Sequence, residues 1–289
     1  MTAPRYAEFA PPPALAAHIH CMWLFAGRED GIEQAVPPDG RCELIVHRGT
    51  PYEEHTVDGR WQAQPTLLFA GQLTRPLVLR ARGEVAVLAV RFTPAGAWAF
   101  AGRSMATLTD RRIDLAALHG EAEVAALRTA LDRADSEAAR FAALAAYVQR
   151  QIARRDGRRD AAVERCVERL LTSEGRVPLA ELGALCGLAP RRLQRRFAEV
   201  VGIAPRTLAV VIRLRRVFDA LRDAPWSTWS ERAQAAGFFD HPQMARDFRR
   251  LLGRAPSEWT QAGPGLASSL ADPEAAAVAK LQAATRSAV

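Results

Sequence analysis

The stretch Leu179–Phe197, LAELGALCGLAPRRLQRRF, shares its pattern with a second stretch further along the chain, Thr228–Phe248, TWSERAQAAGFFDHPQMARDF. Each contains a short helical segment, a glycine (Gly187 or Gly237) and a second segment of helix formers. Apolar residues recur at i and i+4 of each second segment, the spacing of one helical face: Leu193 with Phe197, and Met244 with Phe248. Two helices joined by a tight turn and anchored on one apolar stripe are typical of a helix-turn-helix, so two such units are predicted.

The outward face of each second helix carries polar side chains that suit base recognition. The apolar stripe leaves these residues exposed: Arg191, Arg192, Gln194 and Arg195 in the first copy, and His241, Gln243, Arg246 and Arg249 in the second. Arginine bonds guanine edges and glutamine bonds adenine edges in the major groove. The alternative is a solvated polar face on an ordinary helical bundle. Two helices of matching pattern favour DNA binding.

Proline and glycine place the helices around these two copies. Proline costs nothing at a helix start, and glycine is favoured just after a helix end. Asp240 precedes a helix that its side chain can cap. The predicted helices are Ala161–Thr172, Pro178–Cys186, Pro190–Val201, Pro205–Arg222, Ser227–Ala236 and His241–Leu252.

The first hundred residues have the pattern of a β-rich domain. Turns rich in glycine and proline separate short apolar or alternating runs at a spacing of roughly ten residues, which suggests an antiparallel barrel or sandwich. The predicted strands are Cys42–His47, Thr66–Ala70, Pro76–Arg80 and Val85–Phe92. The last of these is almost continuously apolar, as expected of a strand buried on both faces.

The region between the two domains favours helix. Helix formers dominate Leu115–Ala126, Leu127–Ala134 and Glu137–Ala153, whereas Arg154–Asp160, RRDGRRD, reads as a linker or exposed hinge. The sequence thus predicts an α+β protein in four segments. These are a β-rich regulatory domain (1–113), a helical connector that could hold a dimer contact (114–157), an all-α DNA-binding domain (158–262) and a flexible tail (263–289).

Composition excludes several classes of protein. Hydrophobic residues make up 49% and charged residues 25% of the chain, an ordinary globular balance. No run of about 18 apolar residues could span a membrane, and the N-terminus lacks the features of a secretory signal. The four cysteines have no C-x-x-C spacing, which argues against zinc and for reduced thiols: Cys21, Cys42, Cys166 and Cys186. A cytoplasmic protein is expected.

The net charge of +7 suits a nucleic-acid partner. Lys280 is the only lysine, so arginine supplies nearly all of the positive charge. A GC-rich genome would explain the choice of arginine over lysine, but it would not explain the excess of positive charge.

Several motifs in Ala161–Gln261 occur together in one known family. They are L-x-R-x-F (Leu193–Phe197), G-x-x-P (Gly202–Pro205), A-x-x-x-G-F-x-D (Ala233–Asp240), M-x-R-x-F-R-R (Met244–Arg250) and G-x-x-P-x-x-W (Gly253–Trp259). With them this third of the chain resembles the DNA-binding domain of the AraC/XylS family of transcription regulators. Three residues depart from the family pattern: Pro242 stands where a small polar residue is usual, and Leu208 and Trp259 stand where tyrosine is usual.

The resemblance implies how the domain would contact DNA. The long helix Pro205–Arg222 would hold two reading helices over successive major grooves, about 34 Å apart. By position in the family, the base-contacting residues would be Arg191, Gln194, Arg195, His241, Gln243 and Arg246. The residues expected at phosphates are Arg176, Arg192, Arg206, Arg249 and Arg250. Double-stranded DNA, RNA polymerase and a second copy of the chain are the implied partners.

The N-terminal half also resembles part of this family. The segments Val36–Gly49, Phe69–Leu79 and Val90–Gly102 are similar to an uncharacterised N-terminal domain of bacterial AraC-like regulators, and a cupin-like barrel is the fold suggested by analogy. In such regulators this half senses a signal or mediates dimerisation. Its aromatic residues could line a cavity for a small-molecule effector or simply form core: Trp23, Phe25, Trp61, Phe69, Phe92, Trp98 and Phe100.

The alternative function is a cupin-like ligand-binding enzyme with a DNA-binding appendage. His18-x-His20 matches the start of a cupin metal motif, but no glutamate follows, so both histidines are expected on the solvent side of a first strand. Asp39, Arg41 and Glu43 could line a pocket mouth, although the Pro-Asp-Gly sequence favours a structural turn. We therefore expect no catalytic site, metal or cofactor. The function predicted is that of a DNA-binding transcription regulator controlled by a ligand or by dimerisation.

Overall fold

The computed structural model describes residues 5–223 and 226–261, without the side chains of 222 and 259–261. The predicted tail 263–289, the last residue of the predicted DNA-binding domain and the side chain of Trp259 lie outside this part. The strands are β1 (Arg5–Phe9), β2 (Ile19–Asp30), β3 (Gln34–Val36), β4 (Glu43–His47), β5 (Glu53–His55), β6 (Trp61–Ala63), β7 (Leu67–Ala70), β8 (Leu77–Arg80), β9 (Arg82–Phe92) and β10 (Arg112–Asp114).

The strands form two antiparallel sheets. The sequence predicted a barrel or a sandwich, and the sandwich is confirmed. The larger sheet has the order β1-β2-β9-β4-β7-β10, and the smaller has the order β3-β8-β5-β6. Side chains alternate between faces along a strand. Leu44 and Val46 of β4 therefore join the hydrophobic core, while Ile45 and His47 face a cavity between the sheets. Within β9, most of the predicted strand Val85–Phe92 is buried, as predicted, whereas Arg82 and Glu84 at its start are exposed.

Eleven α-helices are described within residues 5–223 and 226–261. They are α1 (Ala97–Ala101), α2 (Leu115–His119), α3 (Glu121–Arg133), α4 (Glu137–Ala153), α5 (Ala161–Thr172), α6 (Leu179–Cys186), α7 (Pro190–Val201), α8 (Pro205–Asp223), α9 (Trp229–Ala235), α10 (His241–Leu252) and α11 (Pro256–Gln261). Three of them, α5, α7 and α10, have the predicted bounds. None of the described helices is long and apolar enough to span a membrane.

The helices are divided between two hydrophobic cores. The larger core is continuous from the larger sheet through α3 and α4 to the first predicted helix-turn-helix unit, and includes Leu44, Leu127, Leu144 and Phe197. The smaller core joins the second part of α8 to α9 and α10. Helices α3 and α4 thus pack inside the N-terminal half. The second helix-turn-helix unit has a core of its own.

Two expectations about the cysteines and the linker are wrong in part. Cys166 and Cys186 form a disulfide between α5 and α6, because the packing of these helices brings residues 20 apart in sequence to a Cα–Cα distance of 6.9 Å. Cys21 and Cys42 are free and buried. The segment Arg154–Asp160 is mostly exposed but is not a free hinge. The Asp160 side chain is buried, caps α5 and pairs with Arg196.

Candidate DNA-binding interface and interdomain cavity

The first helix-turn-helix unit is formed by α6 and α7. Gly187 follows α6 in the left-handed conformation, at φ 64°, which favours glycine and lets the chain turn tightly. Helix α7 begins at Pro190 and buries Leu193 and Phe197 completely. This leaves the predicted base-contacting side chains on the solvent face: Arg191, Gln194 and Arg195.

The second unit is formed by α9 and α10. Thr228 and Glu231 make a reciprocal capping box at the start of α9, and Asp240 caps α10 through the backbone N–H of Gln243. Pro242 lies in the first turn of α10 and does not break it. Helix α10 buries Met244 and Phe248, while Arg246 is exposed.

The other two predicted base-contacting residues of the second unit are less exposed than Arg246. His241 and Gln243 are half-buried. The Gln243 side-chain oxygen accepts a hydrogen bond of 2.8 Å from the backbone N–H of Phe239, which holds the turn before α10. The Gln243 amide nitrogen remains available for a base edge. Phe239 itself is 92% exposed at the tip of this turn. No pattern in the sequence predicted this exposed aromatic side chain.

The predicted phosphate-contacting arginines fall into two groups. Arg192, Arg206 and Arg249 are exposed, and no acidic group among the described residues lies within ion-pair distance of them. Arg176 instead donates to the Ala235 carbonyl at 2.8 Å and lies 3.1 Å from Glu174. Arg250 pairs with Asp247 on its own helix: their charged atoms are 3.1 Å apart.

The first unit is attached directly to the N-terminal half. The Thr109 hydroxyl donates to the Gly202 carbonyl at 2.5 Å, just after α7 ends. Arg158 stacks on Trp98 of α1, with its guanidinium carbon 3.7 Å from the ring centroid. The same guanidinium lies 3.6 Å from Glu199 of α7. These contacts fix the first reading helix to the sandwich.

A cavity of about 280 Å³ lies between the sandwich and the helix-turn-helix region. Its N-terminal walls come from both sheets, and its C-terminal wall comes from Leu214, Arg215 and Phe218 of α8 with Leu252 of α10. Of the aromatic residues considered in the sequence, Trp23 and Phe25 line this cavity, whereas Phe69, Phe92, Trp98 and Phe100 belong to the core. Trp61 stacks under Arg80 instead.

The turn before β4 joins the cavity to α8. Asp39 accepts a 3.0 Å hydrogen bond from the backbone N–H of Arg41, so the predicted structural turn is confirmed. Asp39, Arg41 and Glu43 also line the cavity, so the pocket-mouth alternative holds as well. A Cβ on Gly40 would lie 2.7 Å from Leu208, and this close approach lets the turn pack directly on α8.

The arginines around the cavity differ in their partners. Arg91 lies 2.8 Å from Glu43 and 3.4 Å from Glu8. Burial lowers the pKa of Arg91, but the nearby carboxylates outweigh burial and the net shift is upward. Arg41 and Arg215 have no acidic group within ion-pair distance in the described part of the chain. Burial lowers the pKa of Arg41, Asp39 opposes that shift, and Arg215 and Arg91 add to it.

A chain of polar groups lies at the sandwich end of the cavity. Arg112 binds Glu54 at 2.7 and 2.9 Å, and the Gln64 amide nitrogen donates to Glu54 at 3.1 Å. The Gln64 oxygen lies 3.3 Å from His47 Nε2. Burial would raise the pKa of Glu54, but the hydrogen bonds from Arg112 and Gln64 give a net decrease. Burial also lowers the pKa of His47, so its ring is neutral near pH 7.

The histidine pair considered as a metal motif is placed differently from the prediction. His20 is exposed on β2, but His18 is buried, with Nδ1 3.4 Å from the Gly96 carbonyl. The expectation that both face solvent is therefore wrong for His18, because the turn before α1 packs over it. In residues 5–223 and 226–261, no three His, Cys, Asp or Glu side chains form a group that could hold a metal.

Two family models match separate parts of the chain. Residues 182–262 match a helix-turn-helix domain family, and residues 7–114 match a family described as a domain of unknown function (DUF6597). A probable AraC family transcriptional regulator from Rhodopseudomonas palustris CGA009 is 30% identical, over 36% of this chain and 97% of that chain, with a TM-score of 0.32. No curated protein matches.

Two structures of ToxT from Vibrio cholerae are similar over more of the chain but at low identity. Wild-type ToxT of strain SCE256, bound to an unsaturated fatty acid, is 10% identical over 82% of this chain and 92% of that chain, with a TM-score of 0.44. ToxT of strain O395, bound to (E)-4-(8-methylnaphthalen-1-yl)but-3-enoic acid, is 9% identical over 89% of this chain and 98% of that chain, with a TM-score of 0.44.

Two helix-turn-helix units, each presenting arginine on its second helix, define a DNA-binding transcriptional regulator. The 30% identity across nearly the whole of the Rhodopseudomonas palustris regulator identifies the family of the chain. It belongs to the AraC family of transcriptional regulators.

Proposed function

We propose that α7 and α10 read successive major grooves of one operator, and that the N-terminal half controls this reading. The observation that supports it best is a shared arrangement on the two helices. Arg195 lies exposed between the buried Leu193 and Phe197, and Arg246 occupies the same place between Met244 and Phe248. One arginine per helix therefore points away from each core at the same position.

The roles of the other side chains follow from whether they already hold a hydrogen-bond or ion-pair partner in the free chain. Arg191, Gln194, Arg195 and Arg246 contact base edges, with His241 and the Gln243 amide nitrogen beside them. Arg192, Arg206 and Arg249 bind phosphates. Arg176 and Arg250 contact phosphates only by giving up the partners they hold in the free chain.

Control by an effector is supported by the cavity, which is lined by the sandwich and by α8 together. A ligand there would touch both the sensing half and the helix that joins the two units. Dimerisation through the helical region 114–157 places two copies on one promoter in the cytoplasm, where the complex recruits or obstructs RNA polymerase. The alternative of a cupin-like enzyme has no support from a metal-binding group among the described side chains.

Selection of the full chain on a randomised duplex pool, at several salt concentrations, tests the proposal. Two conserved half-sites one helical turn apart are expected, because one subunit covers adjacent major grooves. Log affinity should fall steeply with log salt, because the phosphate contacts release counterions. Enrichment of a single half-site, or of no sequence, would contradict double-headed reading.

A further inference from the structure

We propose that Phe239, in the turn before α10, contacts the C5-methyl group of a thymine at the half-site that α10 reads. This inference rests on the proposed function. It adds a residue that determines sequence preference from outside the reading helix. It also names the chemical group that this residue recognises, an apolar methyl rather than a hydrogen-bonding base edge.

The turn of the second unit is one residue longer than the turn of the first. Two residues lie between the turn glycine and the start of α7, whereas three lie between the turn glycine and the start of α10. In each turn the residue after the glycine packs inward: Leu188 against the larger core and Phe238 within the smaller core. The longer second turn leaves another aromatic residue, Phe239, outside the core, where it is 92% exposed.

Two hydrogen bonds hold the backbone of Phe239 against the first turn of α10. Its N–H donates to the Gln243 side-chain oxygen at 2.8 Å. The backbone N–H of Gln243 donates in turn to the Asp240 carboxylate at 2.6 Å. The exposed ring is therefore carried by a fixed backbone. A partner that covers the ring orders few additional groups, so little conformational freedom is lost on binding.

The end of α10 that carries Phe239 is the end that enters the major groove in the proposed function. Recognition helices contact base edges mainly through their N-terminal residues. His241 is the first residue of α10, and Arg246 is exposed on its second turn. Phe239 precedes His241 by two residues in sequence. A duplex that receives the N-terminal end of α10 therefore also meets Phe239.

The chemistry of a phenylalanine ring selects one group in the major groove. The ring has no hydrogen-bonding group, so it gains by removing apolar surface from water. The base edges in this groove carry donors and acceptors, and thymine adds an apolar C5-methyl group. The adjacent carboxylate of Asp240 is bonded to the backbone of α10. A thymine methyl is therefore the group that Phe239 fits.

A protein partner such as RNA polymerase is the alternative occupant for an exposed aromatic side chain. The position of Phe239 favours DNA, because the end of α10 that carries it faces the duplex in the proposed complex. A protein docked on Phe239 would have to displace that half-site. Reduced transcription in vitro by Phe239→Ala, with operator affinity unchanged, would identify a protein partner and overturn the inference.

Parallel selections of the full chain and of Phe239→Ala on a randomised duplex pool test the assignment. The half-site read by α10 is the one that Arg246→Ala relaxes. Within or beside it, the unaltered chain should select thymine at one position, and Phe239→Ala should lose that preference while it keeps the others. Phe239→Leu, which retains an apolar side chain, should keep the thymine. No thymine preference at this half-site, or one that survives Phe239→Ala, would overturn the inference.

Changes to single bases of the selected duplex isolate the methyl group. Deoxyuridine in place of that thymine removes only the methyl, so it should weaken binding by the unaltered chain about 4-fold, the value of one buried methyl-sized group. At the same position, 5-methylcytosine should bind more tightly than cytosine by about the same factor. Neither change should alter binding by Phe239→Ala. Equal binding of the thymine and deoxyuridine duplexes by the unaltered chain would refute the methyl contact.

Val57→Ala is the matched control. Val57 is 80% exposed in the turn between β5 and β6, so this change also removes an exposed apolar side chain but lies outside the DNA-binding units. It should keep the thymine-to-deoxyuridine affinity ratio of the unaltered chain. Thermal unfolding midpoints of both alanine variants should equal that of the unaltered chain, because neither side chain belongs to a core. A ratio that falls equally in both variants would remove the evidence for Phe239 and overturn its role.

The selections separate this inference from the proposed function. No enriched duplex would refute the proposed function and, with it, the role of Phe239. An enriched operator with two half-sites, neither of which depends on Phe239, would refute this inference alone.

Discussion

The guanidinium of Arg158 lies 3.7 Å from the centre of the Trp98 ring and 3.6 Å from the Glu199 carboxylate. One side chain at the start of the predicted DNA-binding domain thus contacts α1 of the N-terminal half and the first reading helix together. The first unit shares the larger hydrophobic core with the N-terminal half, whereas the second unit meets that half across a cavity.

Replacing Arg158 by alanine should loosen the first unit. The stacking and the half-exposed ion pair together contribute about 1 kcal/mol to the free energy of unfolding. Urea unfolding should show that loss, and amide exchange should accelerate at the end of α7. Arg159→Ala is the control, because Arg159 pairs locally with Glu164 on α5. Equal acceleration of α7 in both variants would refute the bridging role of Arg158.

The two cores predict different outcomes for equivalent phenylalanine substitutions. Phe197→Ala and Phe248→Ala each empty a fully buried site, at a cost of about 3–5 kcal/mol. Phe248→Ala should raise exchange in α9 and α10 only, because their core is separate. Phe197→Ala should also expose amides of the sandwich and of α4. Loss of protection across the whole chain in both variants would contradict the division into two cores.

Arg249→Ala should weaken DNA binding without changing sequence preference. Its guanidinium is exposed at the end of α10 and suits a phosphate, so the slope of log affinity against log salt should fall in magnitude by about 1. Affinity measured over a salt series on selected and random duplexes gives both quantities. Arg128→Ala, with the same charge change far from the reading helices, should leave the slope intact. A changed ratio of selected to random affinity would instead make Arg249 a base reader.

The pairing of Cys166 with Cys186 predicts a thiol count. The denatured but unreduced chain should react with two equivalents of a thiol reagent, from Cys21 and Cys42. Reduction before denaturation should raise the count to the four cysteines of the sequence. Cys166→Ser should give three without reduction, because Cys186 is released. Four reactive thiols in the unreduced chain would show that the pair is a dithiol.

Local patterns predicted the C-terminal half well. Helices α5, α7 and α10 begin and end where capping residues, proline and glycine place them. The buried pairs Leu193–Phe197 and Met244–Phe248 follow from helical spacing alone. These features depend on residues close together in sequence, so a periodic pattern is enough to find them.

Features that depend on distant pairing were missed. Strand β2 runs for 12 residues because it pairs along β9, more than fifty positions away in sequence. Its own Gly27 and charged C-terminal end predict a turn instead. Helix α1 is too short for a periodic pattern. The close approach of Gly40 to Leu208 of α8 joins a β-turn to a helix in the other half of the chain. No spacing in the sequence encodes that contact.

We expect α7 and α10 each to read one half of a single operator. Parallel selections with Arg195→Ala and Arg246→Ala test this, since each arginine lies exposed on one reading helix. Each variant should lose about 1–3 kcal/mol of specific binding and relax base preference in one half-site only, with the two affected halves one helical turn apart. Relaxation of the same half-site by both variants, or of neither, would contradict the account.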